Sequence, residues 1–197
     1  MVRLGEVRTP AQPATGDQVE RRDRIRRAAS RLVAERGLEQ VQMQEIAAAS
    51  GVALGTLYRY YPSKHHLLAG VMEGQVAALG RKVMDRPPLE PVEAVSELLV
   101  RACHGLMARP LLARAMITSV NVVRSEAGPQ NDTSFRDLVL RTAGIGDPSD
   151  EDQDLARLVE QCAYGVLTWA VAGEMTVDEA DASLRRACLL LLTPDWG

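Results

Sequence analysis

Apolar residues along most of the chain recur every three to four positions, the period of an α-helix with one buried face. From about Asp17, Ile25, Ala28, Ala29, Leu32 and Val33 keep that spacing while Arg21, Arg22, Arg24, Arg26, Arg27 and Arg31 cover the rest, and Gly37 ends the element. Ile46, Ala47 and Ala49 mark a short second helix, Ser50-Gly51-Val52 a tight turn, and Val52 and Leu57 the inner side of a short third helix. Pro62-Ser63 is a helix-start signal with Ser63 as N-cap, and the fourth helix is predicted to run to about Arg86, where Pro87-Pro88 stops it. Gly70, Gly74 and Gly80 within it suit either a pivoting helix or one crossed closely by its neighbours. Further stripes follow: Val92 to Leu106, Leu112 to Val123, about Asp132 to Ala143, Leu155 to Val171, and Leu184 to Leu192. Ser149 with Asp152, and Thr176 with Glu179, have the spacing of capping boxes at the starts of the last two. The expected fold class is all-α: a tail over 1–16, a three-helix unit over 17–66 and a larger helical domain over 67–197.

The second and third helices, with the glycine turn between them, have the proportions of a DNA-reading helix-turn-helix. Gly51 takes a left-handed conformation without steric penalty, so the chain can reverse within a few residues. Leu54, Gly55, Thr56, Tyr58, Arg59 and Tyr60 are then shared between the outer face and flanks of the recognition helix. Hydroxyls of Thr56, Tyr58 and Tyr60 suit phosphate, Arg59 suits phosphate or a guanine edge, and Gly55 allows close backbone approach. Lys64, in the first turn of the next helix, is a further phosphate candidate. Gln42 and Gln44 flank the groove from the preceding helix, with Gln44 placed to read a base.

Charge is divided accordingly. Residues 1–70 hold 11 Lys/Arg against 7 Asp/Glu, and residues 71–197 hold 12 against 19, so the basic end is the DNA end of a chain whose net charge is −3. Arg3 and Arg8 in the tail are within reach of DNA or simply solvated. Cys103, Cys162 and Cys188 are widely spaced in apolar helical stretches and read as reduced core residues; no metal site and no cofactor are expected. The longest apolar run, Ala187 to Leu192, is far short of a membrane span, and the first residues lack a signal-like apolar core, which predicts a cytoplasmic protein without membrane contact. No nucleophile elbow, phosphate loop or metal-binding His-Glu pattern is present, and His65, His66 and His104 have no evident carboxylate partner in the sequence, so an all-helical enzyme is the weaker reading. A ligand-independent architectural DNA-binding protein is the other alternative.

Ile46-Ala47, Gly51-Val52, Gly55-Thr56-Leu57-Tyr58-Arg59-Tyr60-Tyr61 and Lys64 closely resemble the core motif of the TetR family of one-component transcriptional repressors. Tyr61 stands where that family usually has Phe, adding a hydroxyl that needs a partner, and Gln42 and Ala53 stand where many members have a better N-cap. Val41-Gln42-Met43, Val52 to Lys64 and Arg109 to Met116 also resemble the steroid-catabolism repressors of actinobacteria, which respond to acyl-CoA thioesters. The resemblance implies a homodimer on a palindromic double-stranded operator, released by a small apolar or acyl-CoA-type ligand. The ligand would lie among the fourth to eighth helices, for which Met107, Leu111, Met116, Val120, Phe135 and Trp169 are the large or flexible apolar candidates, with Arg109 or Arg114 to meet CoA phosphates. The last two helices resemble the family's dimerisation pair, with Leu158, Cys162, Val166, Leu184, Cys188 and Leu191 as the expected interface.

Overall fold

The computed structural model describes residues 15–84, 89–127 and 133–192. They form nine helices: α1 Gly16–Arg36, α2 Met43–Ser50, α3 Leu54–Tyr60, α4 Lys64–Met84, α5 Pro91–Met107, α6 Pro110–Ala127, α7 Ser134–Thr142, α8 Asp150–Ala172 and α9 Val177–Leu191. Most of the tail lies outside the described residues, as do Arg3 and Arg8, while Gly16 already belongs to α1.

The helix ends follow from local chemistry. Gly37 and Gly51 sit at positive φ, 80° and 67°, after α1 and α2, where any side chain would be strained. Ser63 Oγ accepts from the His66 backbone N–H at 3.3 Å, satisfying one of the donors left open at the start of α4. Both predicted capping boxes form: Ser149 N donates to Asp152 Oδ2 and Thr176 N to Glu179 Oε2, each at 2.8 Å, and the return bonds are 3.2 Å.

The inner faces differ in detail from the predicted ones. On α2, Met43, Ile46, Ala47 and Ser50 are buried, whereas Ala49 is exposed. The Ser50 hydroxyl enters the core because it donates to the Ile46 carbonyl at 2.7 Å, leaving no unpaired donor.

One continuous apolar core runs from Ile25 on α1 to Leu192 after α9, and α4 is its spine, packing on α1 and on α5, α6 and α7. This packing favours close crossing over pivoting as the reason for two of the α4 glycines. A Cβ on Gly70 would stand 2.7 Å from Cε1 of Tyr61, and one on Gly80 would stand 3.0 Å from Leu138 Cδ1. Gly74 has only ordinary contact with the Arg26 side chain. In the body, α9 packs on α5 and α8, and α7 on α8. Among the described residues no single helix is long and apolar enough to cross a membrane.

Candidate nucleic-acid interface and its helical body

The glycine turn brings α2 and α3 together through Ile46, Ala47 and Leu57, so their remaining faces form one surface. Gln42, Gln44, Gly55, Tyr58 and Arg59 are exposed on these two elements, and Leu54 and Thr56 are half-buried along the edge. Seven of the eight expected DNA-reading residues on these two elements are therefore at the surface.

Tyr60 is not among them. Three residues after Leu57, it shares the inward face, is 2% exposed, and its hydroxyl has no partner. The phosphate contact expected of that hydroxyl is thus replaced by a packing role. The Arg59 guanidinium lies 5.4 Å from the centre of the Tyr60 ring, so the ring serves as a platform that limits where Arg59 can point.

Lys64 also differs from expectation. Its ammonium donates to the carbonyls of Leu38 at 2.7 Å and Val41 at 3.0 Å, tying the start of α4 to the α1–α2 turn. Two of its three N–H donors are thereby committed within the protein. Next to this tie, Arg36 Nη1 donates to Glu45 Oε1 and the Gln42 backbone N–H to Glu45 Oε2, both at 2.8 Å. The Gln42 backbone N–H, and then Arg36, hold the Glu45 carboxyl below its ordinary range, so an ionised carboxylate caps α2 despite the poor N-cap at Gln42.

Tyr61 finds the partner its hydroxyl requires. Arg22 Nε donates to it at 3.0 Å, the guanidinium lies 5.6 Å from the ring centre, and Glu73 holds the same arginine at 3.7 Å. Burial pushes the Tyr61 hydroxyl up from its ordinary range, partly opposed by Arg22. Arg22 therefore joins α1 to the end of α3 and to α4. Neither Arg22 nor Arg36 carried a sequence signal for these roles, because a run of arginines on a helix reads the same whether its members face water or a partner.

In the body, the six ligand candidates are not brought together. Met116 is buried core, and Met107 and Phe135 are half-buried against it. Val120 is half-buried, whereas Leu111 and Trp169 are exposed at 44% and 58%, placed outside the core rather than facing an interior space. Arg109 and Arg114 are exposed.

The dimer candidates divide more sharply. Leu158, Cys162 and Leu191 line a shallow apolar groove on α8 and α9 with Ala187 and Leu190, and Val166 is half-buried farther along α8. Leu184 and Cys188 are fully buried within the single chain, so they hold α9 in place instead of facing outward. Leu189 and Leu190, about 62% and 63% exposed, take the outer positions. Cys188 to Leu192 is apolar all the way round the helix, which leaves periodicity unable to tell the two sides apart.

His104 does have a carboxylate partner, contrary to the sequence reading: its Nε2 stands 2.7 Å from Asp181 Oδ2, linking α5 to α9. The adjacent Cys103 thiol is pushed up by burial and by Asp181, the opposite of an activated nucleophile. Among the described residues no group of three His, Cys, Asp or Glu side chains is placed to hold a metal.

Residues 25–71 match the bacterial regulatory proteins of the tetR family, and residues 89–191 match the tetracyclin repressor-like C-terminal domain. The chain is 28% identical over 168 residues to the HTH-type transcriptional repressor KstR of Rhodococcus jostii, covering 83% of this chain and 79% of that protein. It is 30% identical over 159 residues to KstR of Mycolicibacterium smegmatis, covering 77% and 78% respectively. A TetR transcriptional regulator from Rhodococcus sp. RHA1 superposes with a TM-score of 0.81 at 41% identity, over 90% of this chain and 98% of that one. The Thermus thermophilus repressor FadR, solved with lauroyl-CoA, has the same fold at 24% identity and a TM-score of 0.64, covering 89% and 99%. From its helix-turn-helix through its helical body, the chain belongs to the TetR family of transcriptional regulators.

Proposed function

We propose that the protein is a homodimeric, ligand-released repressor that reads a palindromic operator through Gln42, Gln44, Leu54, Gly55, Thr56, Tyr58 and Arg59. The observation that carries the reading is the joint exposure of Gln44, Tyr58 and Arg59 on either side of the glycine turn, with the rest of the three-helix unit packed on α4. Dimerisation through α8 and α9 is supported by their outward leucines, and two headpieces are needed to span half-sites about one helical turn apart, roughly 34 Å. Repression is supported by the relatives, which are named as repressors, and an apolar or acyl-CoA-type ligand by the lauroyl-CoA complex of FadR.

The ties through Lys64 and through Arg22 couple headpiece position to α4, which packs directly on the body helices. A ligand that favours a different placement of α4 by about 1.4 kcal/mol lowers operator affinity tenfold, because each headpiece moves with the helix it is fastened to. Sequencing the duplexes retained by the purified protein from a random pool is expected to return a palindrome, and an acyl-CoA is expected to elute them. Recovery without dyad symmetry would overturn the dimeric reading, and retention at saturating acyl-CoA would overturn the ligand class.

A further inference from the structure

An open cleft of about 800 Å³, sharing no lining residue with the α8–α9 groove, lies where α1, α4 and α7 meet. Its floor is apolar: Val76, Ala77 and Leu138, with Gly80 so close under Leu138 that a Cβ there would reach 3.0 Å from it. Its walls carry three guanidinium groups from three helices, Arg26 of α1, Arg81 of α4 and Arg141 of α7.

Three cations against two lining carboxylates, Glu73 and Asp137, leave the cleft with an excess of positive charge. The two carboxylates that line the cleft have other partners as well. Glu73 pairs with Arg22 at 3.7 Å, and Asp137 accepts from the Thr133 hydroxyl at 3.0 Å. Arg26 is paired with Asp23. Among the described residues Arg81 and Arg141 have no ion-pair partner, and both are exposed. Guanidinium groups match carboxylate and phosphate oxygens in a two-pronged geometry, and an apolar floor accepts a flat or chain-like body.

We propose that this cleft binds a small anionic amphiphile, an apolar body carrying a phosphate or carboxylate that meets Arg81 and Arg141. None of the six ligand candidates and no residue of the DNA-reading face lines the cleft, so it stands or falls independently of operator release. It also spans the junction of headpiece and body, since Arg26 belongs to the helix that Arg22 fastens to α3 and α4.

Calorimetric titration of the full-length protein, without DNA, with 2-naphthyl phosphate, 2-naphthoate and 2-naphthol tests the assignment. The two anions are expected to bind at least tenfold more tightly than the alcohol. R81Q/R141Q is expected to abolish that advantage, whereas R27Q/R31Q, which alters exposed arginines of α1 outside the cleft, is expected to retain it. A77W, which fills the floor and keeps every arginine, is expected to weaken both anions. The site is overturned if the alcohol binds as well as the anions, if no anion binds, if the preference survives R81Q/R141Q, if it is lost equally in R27Q/R31Q, or if A77W leaves the anions unaffected. A preference for one anion over the other identifies which head group the cleft takes.

Discussion

The α2–α3 surface and the α8–α9 surface are built alike and finished differently. Each is a pair of packed helices whose inner faces are buried, in one case Ile46, Ala47 and Leu57, in the other Ala163, Leu167, Leu184 and Cys188. The outer face of the first presents Gln44, Tyr58 and Arg59; that of the second presents Leu158, Leu189 and Leu190. Water solvates amides, a phenol hydroxyl and a guanidinium well, so the first surface is stable uncovered and ready for a reversible, salt-sensitive partner. Exposed leucines cost about 1.5–3 kcal/mol each relative to burial, so the second surface is favoured to remain covered. In the proposed dimer, that difference would separate a contact that must form and break from one that holds two subunits together.

The largest effect is therefore expected at the apolar end. In a two-fold interface each substitution appears twice, so L158E/L190E places four carboxylates in the contact. The expected outcome is a monomer by light scattering, with operator affinity lower by a factor of 100 or more because one headpiece must bind alone. A dimer that persists would move the interface elsewhere and break the comparison.

Effects at the polar end are expected to be smaller and to differ in kind from residue to residue. Arg59→Ala should cost about 1–3 kcal/mol of operator binding and reduce the salt slope by about one phosphate contact. Lys64→Met should weaken operator binding about tenfold while leaving the salt slope nearly unchanged, because its ammonium holds the Leu38 and Val41 carbonyls. Anisotropy titrations over a range of salt separate the two. A flattened slope for Lys64→Met would assign it to phosphate after all.

How far the sequence reveals each region follows from the same contrast. The helix starts and stops were legible because Gly37, Gly51, Ser149-Asp152 and Thr176-Glu179 act through backbone geometry and hydrogen bonds within a few residues. Which sides of α2 and α3 face outward was legible in outline because Gly51 and Leu57 fix which side of each helix faces in. Tyr60 was misread since its outward and inward positions differ by only part of a turn in a seven-residue helix, and a tyrosine suits either. The Lys64 tie spans 26 residues to Leu38 and the Arg22 tie 39 to Tyr61, distances over which local periodicity carries no information. On α9 an all-round apolar run hid which leucines face out.

Tyr60 gives an intermediate test, of stability more than binding. Its hydroxyl is buried and unpaired, so Tyr60→Phe removes an unsatisfied group and keeps the ring beneath Arg59. Removing such a group is worth about 1 kcal/mol, or roughly 2–4 °C in Tm for a chain of this size. Operator affinity is expected to stay within twofold. A large loss of binding with normal folding would return the hydroxyl to the DNA interface.

The smallest expected effect concerns two carboxylates that cap helices, one at each end of the molecule. Glu45 is held below its ordinary range by the Gln42 backbone N–H and then Arg36, and Glu179 by the Thr176 backbone N–H and then its hydroxyl. A carboxyl whose folded-state pKa is depressed stabilises the protein above its unfolded value, near 4.5, and that contribution disappears as pH falls through the folded value. Glu179→Gln should therefore lower Tm slightly at pH 7, with the difference from wild type vanishing in acid. Glu45→Gln should show the same pH dependence but also weaken operator binding, since Arg36 and the Gln42 backbone would lose their shared anchor beside the groove. Equal effects of the two variants on DNA binding would remove the distinction between a cap that only holds a helix and one that also aims it.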